Sequence, residues 1–258
     1  MNRDLPGLTA KTIGSPAFYL ETAGSTNSWI KERGNSLPHG AVCWTGRQTA
    51  GRGRSGRRWE SGDGESLAMS LLIKPSAPTA LPLVCGIAVS QALRDLTGGQ
   101  FYIKWPNDVL CEGRKVCGIL CESFFIADRS FSVAGIGVNI GQSAGFFKQA
   151  GLHHAGSLKM LCPAVPDMPV IVAEVINRLE PLLLRFLKDG FPPLKSEYEA
   201  RCVNLGKEVA ILSSHGEVIR RGLATGIADD GSLMVDSGGG AVPVSFGEVS
   251  VRGIDGYI

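Results

Sequence analysis

One stretch of this chain suits neither helix nor strand, and the rest of the fold has to be built around it. Gly46-Arg47-Gln48-Thr49-Ala50-Gly51-Arg52-Gly53-Arg54-Ser55-Gly56-Arg57-Arg58-Trp59-Glu60-Ser61 holds five arginines, four glycines and one carboxylate in sixteen residues, with no apolar run to anchor it. Glycine permits close backbone approaches that a side chain would block. Arginine offers a planar fork of donors that matches carboxylate and phosphate oxygens. Residues 41–45 before it and 66–74 after it read as strands, so the stretch is a loop between ordered elements and a candidate clamp for an anionic ligand. Gly51, Gly53 and Gly56 satisfy G-x-G-x-x-G, but the dinucleotide fingerprint needs a helix next. Trp59-Glu60-Ser61-Gly62-Asp63-Gly64 and a strand follow instead, which argues against a Rossmann site. A tether for single-stranded nucleic acid, or a surface loop without function, also fits these residues taken alone.

The charge distribution favours a local anion site over a nucleic-acid coat. Residues 1–202 carry 22 basic and 17 acidic side chains, and residues 203–258 carry 4 and 7, so a net +2 divides into +5 and −3. The seven cysteines are odd in number and contain no C-x-x-C pair. Cys111, Cys117 and Cys121 lie in an apolar strand pattern, where free cysteine behaves as a small hydrophobe. Structural thiols in a reducing compartment are the expectation, with no cysteine metal site. No secretory h-region follows Met1 and the apolar run at 81–89 is far too short to span a bilayer, so the expected location is cytoplasmic.

In chain order, residues 1–16 are polar with Pro and Gly and read as a loose arm. Residues 17–21 form a first strand. Ser25-Thr26-Asn27 offers cap residues before a short helix at 28–33, which Gly34 closes. A helix is expected over 82–96 with Leu83, Ile87, Val89, Leu93 and Leu96 inward. Strands at 101–104, 109–111, 115–125 and 131–140 follow, the middle two joined as a hairpin by Glu112-Gly113-Arg114. Residues 156–159 open a short helix, and 170–188 make a longer one with Leu179, Leu182, Leu183, Phe186 and Leu187 on its apolar side. Beyond Arg201 come short strands at 207–212, 218–227, 233–235, 241–245 and 249–251, the pattern of a small barrel. The expected organisation is a loose arm (1–16), an α/β or α+β domain on a mixed sheet with helices (17–202), and a small SH3-like all-β barrel domain (203–258).

Three polar clusters join the arginine loop: Ser25-Thr26-Asn27, Lys104-Trp105-Pro106-Asn107-Asp108, and Lys115 opening an apolar strand. Singly they read as a cap, a packed corner and a solvated strand end. Together they add neutral donors, cations and one carboxylate. With Gln48–Trp59, with Lys115-Val116-Cys117-Gly118-Ile119-Leu120-Cys121-Glu122, and with Gly135-Ile136-Gly137-Val138-Asn139, all in this order, the sequence resembles the biotin–protein ligase family. The resemblance covers most of residues 17–140, and the C-terminal barrel is similar to that family's second domain.

The resemblance implies a biotin–[acetyl-CoA-carboxylase] ligase that uses biotin, ATP and Mg²⁺. Biotin's carboxylate attacks the α-phosphate to give biotinyl-5′-AMP, and a lysine of an apo biotin carboxyl carrier protein then takes the biotinyl group. By carry-over, Ser25, Thr26, Asn27 and Gln48 hydrogen-bond the biotin head. Gly51, Gly53 and Gly118 let backbone approach it, Arg52 and Arg54 hold carboxylate and phosphate, and Lys115 sits where the two meet. Arg57, Trp59, Lys104, Asn107 and Asn139 fall on the nucleotide side. Asp108 orients Lys115, helps to place Mg²⁺ or receives the incoming lysine; the sequence leaves these three roles open. Some members of the family carry an N-terminal helix-turn-helix. Only 17 residues precede Phe18, fewer than such a domain needs, so a ligase without repressor function and without specific DNA is expected. Whether it is a homodimer is not legible. The rival readings are a lipoate–protein ligase or octanoyltransferase, and a nucleic-acid module built on the loop. With five like charges and four glycines, the loop is expected to sample many conformations until anionic ligands order it.

Overall fold

The computed structural model describes residues 4–62, 64–213, 215–246, 249–253 and 256–258. The chain enters β1 (Ala17–Tyr19), turns into α1 (Thr26–Glu32) and returns as β2 (Val42–Thr45). After the arginine loop come β3 (Ser66–Ile73) and α2 (Leu81–Thr97), which runs longer than expected by about a residue at each end. Next are β4 (Phe101–Lys104), β5 (Asp108–Cys111), β6 (Arg114–Ile126) and β7 (Arg129–Asn139). The sheet order is β1-β2-β3-β7-β6-β5-β4, with β1 and β2 parallel and all other neighbours antiparallel. The β5–β6 hairpin closes on Glu112 and Gly113, both at positive φ (48° and 73°), the geometry a two-residue turn demands.

Two short helices follow, α3 (Ala144–Gln149) and α4 (Leu158–Leu161), and then the long α5 (Met168–Asp189) and α6 (Lys195–Glu199). Helix α5 lies with α2 on one face of the sheet, where Ile171, Val175, Ile176, Leu179 and Leu183 join the main core. Leu187, counted with that face from the sequence, is exposed; it sits in the last turn, beyond the buried stripe. Helix α1 covers the opposite face with a smaller core of Ile30, Cys43, Leu72, Phe131 and Val133. Because both faces are covered, all eight residues of β3 are buried. Side chains alternate along a strand, so Leu67, Met69, Leu71 and Ile73 enter the main core while Ser70 and Leu72 face α1.

The N-terminal segment is not a loose arm over residues 4–16; residues 1–3 lie outside the described residues. Leu5 and Ile13 are buried, and α5 captures the backbone between them. Asn177 Oδ1 accepts from the Thr9 and Ala10 N–H groups, and Glu180 Oε1 accepts from Lys11 and Thr12 (2.8 and 2.5 Å). Composition alone does not reveal partners about 170 residues away.

The C-terminal part forms a second, five-stranded antiparallel sheet: β8 (Glu208–Leu212), β9 (Val218–Ile227), β10 (Leu233–Asp236), β11 (Ala241–Val244) and β12 (Ser250–Gly253), in the order β11-β10-β9-β8-β12. Trp105 docks it onto the first sheet. Its side chain is 1% exposed, its indole N–H donates to Gly231 O at 3.0 Å, and its ring packs on Phe246. The seven cysteines are all free thiols. No helix among the described residues is long and apolar enough to cross a membrane.

Candidate active site

The face of the large sheet that carries α1 becomes a cavity where its side chains run out. Along β6 and β7 the residues that should fill it are Gly118, Gly135 and Gly137. A Cβ at Gly135 would stand 2.3 Å from Asn27 Oδ1, and at Gly137 2.6 Å from the Trp59 indole; at Gly118 it would meet the same ring at 2.9 Å. The glycines therefore make a floor on which Asn27 and Trp59 rest directly. The cavity above it has a volume of about 290 Å³ and is walled by the arginine loop, α1, the β4–β5 turn and the end of β12. All the residues singled out from the sequence line it except Gly51. Gly51 lies behind the wall, where a Cβ would clash with Trp59 O at 2.6 Å, so its role is to let the loop close on itself.

One end is neutral and closely hydrogen-bonded. Ser25 caps α1, accepting from the Ser28 N–H. Gln48 Oε1 accepts from the Thr26 N–H and hydroxyl (2.8 and 3.2 Å), while Ser70 Oγ lies 2.7 Å from Thr26 Oγ1 and 2.6 Å from Asn27 Oδ1. The Asn27 amide donates to Leu120 O and Glu122 Oε2 (3.1 and 2.8 Å). Glu122 also takes Lys31 at 2.9 Å and Arg52 at 3.3 Å. Burial would raise its carboxyl, but the bonds from Lys31 and Asn27 and the Arg52 charge outweigh it and hold it below the usual range.

Within the loop there is one defined turn. Gly53 N–H donates to Arg57 O at 2.7 Å and Trp59 N–H to Gly51 O at 3.0 Å, around a tight turn at Arg54–Gly56 in which Ser55 sits at φ 54°. Other elements offer the arginines partners in this conformation. Arg52 reaches Glu122 and Ser28, Arg54 donates to Asn107 Oδ1 at 3.1 Å, and Arg57 donates to Ser250 Oγ at 2.9 Å. The buried indole N–H of Trp59 has no hydrogen-bond partner among the described residues.

At the centre, Lys115 Nζ pairs with Asp108 Oδ1 at 2.5 Å, with both side chains largely buried. A register shift at the β5–β6 pair places Lys115 there, and its N–H donates to His154 O at 2.8 Å. Burial alone would raise the Asp108 carboxyl; the charges of Lys115 and Lys104 and hydrogen bonds from Lys115 and Tyr257 reverse that and lower it. Lys104 is 4% exposed, donates to Val251 O at 2.7 Å and has its ammonium depressed to about 8, chiefly by burial, against the opposing pull of Asp108. Asn107 spends its amide N–H on Ile119 O at 2.9 Å, and Asn139 spends its own on Gly156 O at 3.0 Å. Both amides thus brace the walls rather than point free into the cavity.

Two family models match, the biotin/lipoate A/B protein ligase family over residues 19–139 and the biotin protein ligase C-terminal domain over 205–252. The chain is 32% identical to the bifunctional ligase/repressor BirA of Bacillus subtilis over 240 residues, covering 91% of this chain and 73% of that protein. It is 33% identical to the biotin–[acetyl-CoA-carboxylase] ligase of Mycobacterium tuberculosis over 236 residues, 88% of this chain and 85% of the relative. The chain belongs to the biotin protein ligase family. The solved biotin protein ligase of Aquifex aeolicus in complex with biotin and ATP superposes with a TM-score of 0.80 at 30% identity, covering 92% of this chain and 98% of that one.

Several residues of this ligase-family site escaped the sequence reading. Glu122 was quoted within its strand without a role, although a carboxylate inside an apolar strand is a signal. Ser70 hides in the same way on β3. His154, Ser250, Arg252 and Tyr257 line the cavity from distant segments, and nothing local marks them. For Mg²⁺ the fit is poor on the protein side. Among the described residues no group of three or more His, Cys, Asp or Glu is placed to hold a metal, and Asp108 already faces the Lys115 ammonium and the Tyr257 hydroxyl. A Mg²⁺ ion would have to be held mainly by nucleotide phosphate oxygens, as is common for this ion.

Proposed function

We propose that this chain is a biotin–protein ligase that runs both half-reactions in this one cavity. In the first, a biotin carboxylate oxygen forms a bond to the ATP α-phosphorus and the bond to the β-phosphate bridge breaks, releasing pyrophosphate. In the second, the neutral amine of a carrier lysine attacks the mixed-anhydride carbonyl; AMP leaves and the amine's proton is lost. The carrier is the apo biotin carboxyl carrier domain of a biotin-dependent carboxylase.

The observation that carries this reading is the Lys115 ammonium, fixed by Asp108 at 2.5 Å between a neutral donor pocket and the loop arginines. Both half-reactions concentrate negative charge on phosphate oxygens, and cations already in place stabilise it without reorganising. Ser25, Thr26, Asn27 and Gln48 recognise the neutral head of biotin. Arg52 and Arg54 face its carboxylate and the α-phosphate, and Arg57 and Lys104 face the rest of the nucleotide. Lys115 bridges the two ends. Of the roles open to Asp108, orientation of Lys115 is favoured, because its Oδ1 stands 2.5 Å from that ammonium. Specific DNA binding is not part of this reading, and the cytoplasm is its location.

Biotin-dependent exchange of labelled pyrophosphate into ATP tests the first half-reaction without the carrier. Exchange that requires biotin is expected. Exchange driven by lipoate or octanoate and not by biotin would overturn the assignment.

A further inference from the structure

Among the described residues, Tyr257 is the side chain lining this site that comes from beyond the last strand. Its phenol O–H donates to Asp108 Oδ2, the oxygen opposite the one that pairs with Lys115. The chain is shaped to bring it there. Gly256, at φ 145°, donates its N–H to Gly253 O, and the Ile258 carbonyl packs so close over Gly253 that a Cβ there would stand 2.1 Å from it. The ring is held as well as the hydroxyl. His154 stacks on it with centroids 4.0 Å apart at 23°, and Lys104 Nζ and Arg252 Cζ lie 4.3 and 4.8 Å from its centre.

We infer that Tyr257 is a positioning residue for the ligase chemistry, pinning Asp108 so that its other oxygen keeps the Lys115 ammonium turned into the cavity. This rests on the ligase reading above and deepens it. Asp108 is the carboxylate among several cations: Lys115 on β6, Lys104 on β4, Arg54 on the loop and Arg252 on β12 all act in its surroundings, with His154 beside the phenol. A carboxylate so surrounded has other partners to turn to, and each turn would release Lys115. A fifth cation on Oδ2 would add to the crowding, whereas a neutral phenol fixes the oxygen without adding charge. A mere space-filler would need only the ring, but here the hydroxyl carries the contact.

Tyr257→Phe keeps the ring and its stacking on His154 and removes the hydroxyl. In biotin-dependent pyrophosphate exchange the variant should lose roughly tenfold in kcat, the scale of one hydrogen bond to a charged group, with KM for biotin unchanged. The loss should vanish in an Asp108→Asn background, because the phenol acts only through that carboxylate. An unchanged kcat, a rise in KM that accounts for the loss, or full loss in both backgrounds would each overturn the proposal. So would a variant whose thermal unfolding collapses, since that marks the hydroxyl as structural. Absence of biotin-dependent exchange in the unaltered protein would instead sink the ligase reading itself.

Discussion

The indole of Trp59 lies flat enough on β7 that a single methyl added at Gly137 would stand 2.6 Å from its ring. Gly137 is not at positive φ, so Gly137→Ala carries no backbone penalty and its effect falls on the ring alone. The variant should push Trp59 off the floor and lift the loop segment that holds Gly51. Pyrophosphate exchange should drop at least about tenfold while the thermal midpoint moves by only a few degrees, a range set by surface-type changes. Wild-type exchange in this variant would show that the Trp59 seat has no part in substrate handling.

Lys115→Ala removes the ammonium that the proposed ligase reading sets between biotin and nucleotide. Adenylate formation should fall by roughly 10²–10³-fold, the scale of losing one preorganised group that stabilises developing charge. The variant also leaves Asp108 with Tyr257 and Lys104, so folding should survive. Single-turnover formation of biotinyl-AMP at the unaltered rate would remove Lys115 from the mechanism.

Lys104 gives a pH dependence with a definite sign. Its folded-state value of about 8 lies below the ordinary 10.5, because burial disfavours the charged form. Below pH 8 the ammonium is present and able to meet phosphate; above it the charge is lost. The kcat/KM for ATP in the free enzyme should therefore fall as pH passes 8. Between about 8 and 10.5 the unfolded chain binds more protons than the folded one, so folding stability should rise with pH over that window. Lys104→Met should abolish both trends. An alkaline limb that persists in this variant would assign it to another group.

Trp105 tests how the two sheets depend on each other. It is fully enclosed and bonded to Gly231 O and the Asn204 side chain, the latter through its backbone N–H. Trp105→Ala should cost about 3–5 kcal/mol, read from denaturant unfolding. Because Lys104 next to it bonds Val251 O, exchange should weaken more in KM for ATP than in KM for biotin. An equal change in both would mean that the β12 end contributes nothing particular to the nucleotide side.

What could be read in the sequence follows how local its physics is. The β5–β6 hairpin, α2 and α5 were legible because Glu112-Gly113 and the apolar periodicities carry their own instructions. The arginine loop was legible as a loop for the opposite reason, having no such periodicity. The N-terminal segment was misread since Leu5, Ile13 and the Thr9–Thr12 backbone gain their partners from α5 near the far end of the chain. At the site, Lys115 stood out as a charge opening an apolar strand. Its partner Asp108 was visible in a motif, yet which group it served was not. Tyr257 and His154 were invisible, because only the fold of β12 and the tail sets one ring on the other.

The loop offers the last test. Its closed turn rests on Arg52, Arg54, Arg57 and Arg58, whose partners include a carboxylate shared with Lys31, a neutral amide, a hydroxyl and the neighbouring Glu60. Ion pairs that remain near solvent are worth about 0–1 kcal/mol each, while ordering a residue costs about 1–2 kcal/mol. The free loop should therefore open often, despite having one preferred closed form. Biotin and ATP together would give Arg52 and Arg54 anionic partners and bury Trp59 further, which holds the loop shut over the mixed anhydride and away from water. Trypsin reads this directly, since each of the four arginines is a cleavage site once the chain is open. Cutting within residues 52–58 should be rapid in the free protein, slower with biotin alone, and strongly suppressed with biotin and ATP. Arg58, with 66% of its side chain exposed, should be cut first. Equally slow cleavage with and without ligands would mean that the turn is already rigid, and ligand-driven closure would have to be given up.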